Sequence, residues 1–86
     1  MALTHEQMAL ASELVGTAPT LRDAAALWRA RNPQSSAIVV DAMDMREETP
    51  TMQLGARRVY LVATSGHCWH VTTAPEQASG LVLTQD

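Results

Sequence analysis

Eighty-six residues carrying a net charge of −3 suffice for one small domain with a thin core, because a chain of this size buries only about 60–65% of its unfolded surface. The single Cys68 excludes an internal disulfide, and no apolar run approaches the length of a membrane span. There is no basic stripe able to neutralise a row of phosphates, so nucleic acid is disfavoured as a partner.

The charge falls in alternating segments, −2 over 1–19, +2 over 20–35, −3 over 36–55, +2 over 56–66 and −2 over 67–86. All six basic residues are arginine and there is no phenylalanine. Core bulk must come from Leu, Val, Met and two Trp, so a monomer has little apolar area to bury. Self-association would relieve that shortage. No charged segment followed by an apolar run opens the chain, and the expectation is a soluble, cytoplasmic protein forming a single domain over 1–86.

Thr4-His5-Glu6-Gln7 has the form of a capping box, with Leu3 and Met8 at the staple positions. It predicts a first helix from His5, with Met8, Ala11, Leu14 and Val15 on its apolar face and Gly16 as its stop. Thr20 caps a second helix, where Leu21, Ala24, Ala25 and Trp28 share a face, Arg29 and Arg31 complement the dipole, and Asn32-Pro33 ends the run. Ala37 to Ala42 is β-branched and short, and reads as a strand. The polar stretch that follows, 43–56, contains Asp44, Glu47, Glu48 and Pro50 and reads as a mobile acidic loop, irregular to about Gly55. It has neither the ligand spacing nor the central glycine of a calcium-binding EF-hand.

Val59–Thr64 and His67–Thr73 read as a hairpin turning at Ser65-Gly66. Thr73-Ala74-Pro75-Glu76 predicts a capped helical turn, and Gly80 to Thr84 a last strand. The order α-α-β-β-β-short α-β defines an α+β domain, with two N-terminal helices on one face of a mostly antiparallel sheet of three to four strands.

The hairpin gathers the residue types from which sites are made. A turn at Ser65-Gly66 would oppose Thr64 to His67 and Leu61 to His70, setting Val59, Leu61, Ala63, Cys68, His70 and Thr72 on one face and Tyr60, Val62, Thr64, His67, Trp69 and Val71 on the other. Neither face is polar. Two helices cover only one, so Tyr60, Val62, His67, Trp69 and Val71 form a candidate surface for a protein partner or a second copy of the chain. The blander alternative is that the acidic loop folds over this face.

Cys68 and His70 share a face at i, i+2 and could offer two ligands to zinc or copper, with His5 as a possible third, but no second ligand pair closes a tetrahedral set. A catalytic Cys-His pair ranks lower, because adjacent strand residues diverge and no oxyanion loop is aimed at Cys68. The helix pair also permits a helix-turn-helix reading, with Thr20–Arg31 as recognition helix, Arg22 near its start and the hairpin as a wing. The negative charge and the absence of a third helix count against it.

Ser65-Gly66-His67-Cys68, followed by Thr73, Pro75, Glu76, Ala78 and Gly80-Leu81-Val82-Leu83, resembles the corresponding part of a group of small uncharacterised proteobacterial proteins, some associated with nitrogen-fixation gene neighbourhoods. The resemblance implies a small accessory protein and brings no catalytic motif. On the uncovered sheet face and the acidic loop, the expectation that ranks first is a non-enzymatic accessory or protein-interaction module without a cofactor, self-associating through its sheet. A metal-binding protein using Cys68 and His70 ranks second and a DNA-binding protein third.

Overall fold

The computed structural model describes residues 3–65 and 68–86. Among the described residues two helices, α1 (His5–Thr17) and α2 (Leu21–Arg31), precede five strands: β1 (Ser36–Val39), β2 (Met52–Leu54), β3 (Arg57–Ser65), β4 (Cys68–Thr72) and β5 (Gly80–Gln85). The α+β class stands as expected, with one strand more than the sequence suggested. β1 pairs with β5 in parallel, and the other pairings, β5 with β3 and β3 with both β2 and β4, are antiparallel.

Both helix starts follow the sequence. Thr4 accepts from the Gln7 amide while Gln7 reaches back to the Thr4 N–H, and Thr20 accepts from the Asp23 amide. α1 has no basic residue in its last turn. That cation comes instead from β3: the Arg57 guanidinium donates to the carbonyls of Val15 at 2.9 Å, Ala18 at 2.6 Å and Pro19 at 2.9 Å, and its Nε to Gln85 Oε1 at 3.2 Å. A single side chain thus satisfies carbonyls left open at a helix end and complements its dipole.

The helices lie on the face of the sheet that carries Val59, Leu61, Leu81 and Leu83, packing Val15, Leu21, Ala24, Ala25 and Trp28 against it. The other face has its own small cluster, in which Met45 covers Tyr60, Val62 and Val82. The acidic stretch is therefore not irregular throughout. Asp41 accepts from the Met43 amide and starts a 3-10 turn, Ala42–Met45, that lowers Met45 onto the sheet. Further on, Met52 and Leu54 pack against the helical core as β2. Burial of these methionines and leucine organises a segment that its charges alone made look like loop. Gly55, with φ of 65°, begins the tight turn into β3, a backbone setting that favours glycine.

The hairpin register also differs from expectation. Ser65 ends β3 and pairs with Cys68, so Thr64 faces Trp69, Ala63 faces His70, Val62 faces Val71 and Leu61 faces Thr72. The expected Ser65-Gly66 turn gives way to a longer strand, and residues 66 and 67 lie outside the described residues. The displacement sets Val71 rather than Trp69 opposite Val62, leaving the smaller side chain beside the Met45 cluster. Because the displacement is even, every described side chain keeps its expected face. The last helical turn, Pro75–Gln77, has Ala74 as N-cap with no side-chain cap; Thr72 rather than Thr73 supplies the hydroxyl, accepting from the Ala74 amide.

Gly80 marks a close approach. A Cβ there would collide with the Ser36 hydroxyl and come within 3.0 Å of the Ser36 carbonyl oxygen, where β5 meets β1. In urea unfolding, Gly80→Ala is expected to lower stability by about 1–3 kcal/mol; an unchanged midpoint would show that Ser36 moves aside freely. Arg57→Ala is expected to cost about 2–4 kcal/mol in the same experiment, and Arg57→Lys to recover only part of it, since an ammonium lacks the planar fork. Full recovery by lysine would reduce the role of Arg57 to that of a charge.

Candidate functional site

β3 and β5 part company at Val62, which pairs with Gly80. Beyond that point Ala63–Ser65 and Cys68–His70 continue as a two-stranded ribbon clear of the rest of the sheet. The chemistry-bearing residues of the hairpin sit on this ribbon. Cys68 and His70 are exposed on one face, Trp69 on the other. Among the described residues no group of three His, Cys, Asp or Glu side chains is placed to hold a metal ion, so His5 does not join Cys68 and His70.

The second row of the hairpin is divided. Tyr60 and Val62 are buried beneath Met45, and the Tyr60 hydroxyl donates to the Met45 carbonyl at 3.4 Å. Val71 is half-buried beside them and Trp69 stands out into solvent. His67 lies outside the described residues. Of the surface expected from sequence, the inner part is closed by the chain's own 3-10 turn, as the blander alternative held, and Trp69 remains as its exposed end.

A second place has the shape of a binding site, and it lies at the opposite margin of the sheet. β5 is paired on both edges, whereas among the described residues no strand lies beside the outer edge of β1. Along this edge runs a groove of about 410 Å³ lined by Arg22, Ala25 and Arg29 from α2 and Ala37, Ile38 and Val39 from β1. Residues 22, 25 and 29 share one flank of the helix, and Ala25 is small enough to leave the groove open. Ile38 and Val39 are 45% and 42% exposed.

The groove is firmly built. The Trp28 indole N–H donates to the Ser35 hydroxyl at 3.1 Å, and that hydroxyl donates to the Ser79 carbonyl at 3.0 Å, tying α2 to the entry of β5. Arg29 donates to the Ala37 carbonyl at 2.6 Å and so fixes the helix to the strand. The Val40 amide donates inward to Leu83. Since successive peptide groups of a strand alternate sides, those of Ala37 and Val39 face outward. The one ion pair among the described residues joins Arg58 to Asp86, so Arg22 and Arg29 keep their charge free of a carboxylate partner.

In the sequence Arg22 suggested a base contact and Arg29 a helix-dipole partner. Their shared position beside the groove was detectable only in part: the spacing puts both on one helix flank with Ala25, but nothing local says that this flank overlooks a strand edge. The chain matches no protein-family model, no curated protein and no solved structure. No helix among the described residues is long and apolar enough to cross a membrane.

The two tryptophans offer a test of this arrangement, because Trp28 is 1% exposed and Trp69 50% exposed. Iodide is expected to quench only part of the native emission, and Trp69→Phe to remove the quenchable part. Residual quenching in that variant would place Trp28 nearer the surface than described.

Proposed function

We propose that this domain is a non-enzymatic accessory module that binds another protein, or a second copy of itself, along the open edge of its sheet beside α2. The observation that supports the reading most is the state of β1: outward-facing peptide groups, two half-exposed aliphatic side chains and a groove overlooked by unneutralised arginines. An edge strand with free N–H and C=O groups is a ready template for another strand. Charged flanks alone would keep such an edge solvated; a groove with an aliphatic floor gives a partner something to bury. The resemblance of the C-terminal third to small uncharacterised proteobacterial proteins implies an accessory role of this kind.

The reading is tested by placing a photo-crosslinking residue at Ile38 in the native host, with Glu13 and Thr73, both exposed, as control positions. Adducts with a protein identified by mass spectrometry, or with the same chain, are expected from position 38 and not from the controls. Equal yields at all three positions would overturn the assignment of the surface.

A further inference from the structure

We propose that the groove between α2 and β1 takes an extended acidic peptide of a partner protein, which adds to β1 as an outer strand and sets its carboxylates against Arg22 and Arg29. The inference rests on the interaction reading above and supplies the chemistry of the partner. Three features of the groove lead to it.

The first is the backbone. The N–H and C=O of Val39 and the N–H of Ala37 face outward on an unpaired edge, and the Ala37 carbonyl, though it accepts from Arg29, has a second lone pair. An added strand would complete these bonds, which is the mode by which peptides join sheet edges. The second is charge. Among the described residues that line the groove are two arginines and no carboxylate, although the chain as a whole is at −3. Guanidinium groups bind carboxylates with two parallel hydrogen bonds, so the local field selects an acidic ligand against the sign of the whole molecule.

The third is spacing. Arg22 and Arg29 are separated by two helical turns, about 10.5 Å along the axis. A strand advances about 3.3 Å per residue, so carboxylates on one face two or four positions apart are about 7 or 13 Å apart. Flexible arginine side chains span the difference. The alternate positions of the added strand would pass Ile38, which suits β-branched apolar residues. The ligand is therefore a strand in which acidic and aliphatic residues alternate.

The probe is a fluorescein-labelled peptide of alternating Glu and Val, about seven residues long, titrated with the full chain by fluorescence anisotropy. Saturable binding is expected, with no binding of the peptide in which Lys replaces Glu. Arg22→Glu and Val39→Pro should each weaken binding at least about tenfold, the first by repelling carboxylates and the second by removing an outward N–H. Arg22 is exposed, and the Val39 amide faces away from β5, so unfolding midpoints should change little. A peptide N-methylated at the amides facing β1 tests the strand bonds without altering the protein, and should not bind.

Absence of saturable binding, or equal binding of the Lys peptide, would overturn the proposal. So would weakening by Arg22→Glu alone, with Val39→Pro and the N-methylated peptide unaffected, which would indicate a charge attraction that nucleic acid could share. A dimer in sedimentation that Val39→Pro abolishes and the peptide does not dissociate would give the edge to a second copy. If the Ile38 adducts form but the peptide does not bind, the interaction surface stands and its acidic-strand occupant fails.

Discussion

The last strand of the chain, β5, has neither a free edge nor a free face, and the rest of the domain is arranged to enclose it. β1 and β3 take its two edges, the helices cover Leu81 and Leu83, and the Met45 turn covers Val82. A strand buried on both sides reads as a continuous apolar run, and Leu81-Val82-Leu83 is that run. Enclosing it uses the available coverage. Of the large apolar residues that stay exposed, Ile38, Val39 and Trp69 lie at the two margins of the sheet, the β1 edge and the protruding ribbon, while Leu27 and Met43 lie on the outer surfaces of α2 and the 3-10 turn.

The parts of this fold that could be read from sequence are those encoded within a few residues. The helix starts at Thr4 and Thr20 depend on hydroxyls meeting amides three positions on, and such contacts need no tertiary information. The second face of the hairpin was readable as apolar, and so was the separation of Cys68 and His70 from Trp69. The register was not, because Val71 and Trp69 are both good strand residues and the cluster against which Val71 packs includes Met45, seventeen positions away in the chain from Val62. β2 was missed for a similar reason. Met52-Gln53-Leu54 has little strand character until α1 and β3 give its apolar side chains somewhere to go.

The candidate site was less legible than the fold. Its lining comes from two elements whose local sequences give each residue another explanation: a dipole partner at Arg29, a base contact at Arg22, a short β-branched strand at Ala37–Ala42. The groove exists because β1 pairs with β5 in parallel and takes the outside position. Which strand lies outside is a property of the whole sheet. The hairpin misdirects for the opposite reason, since it collects His, Cys, Trp and Tyr in sequence and the strand pleat then disperses them.

The bonds of Arg57 have an implication for how the chain folds. Its acceptors lie 38 to 42 residues earlier in the helical hairpin and 28 residues later in β5. Two helices with good local caps can form early, but the guanidinium that closes the end of α1 reaches it only when β3 is in place, and it is steadied there by the end of β5. Loop-closure entropy must be met before such distant contacts return anything. The helical layer and the sheet are therefore coupled in time as well as in space: the end of α1 is closed only once β3 has formed, and the arginine that closes it is steadied by β5.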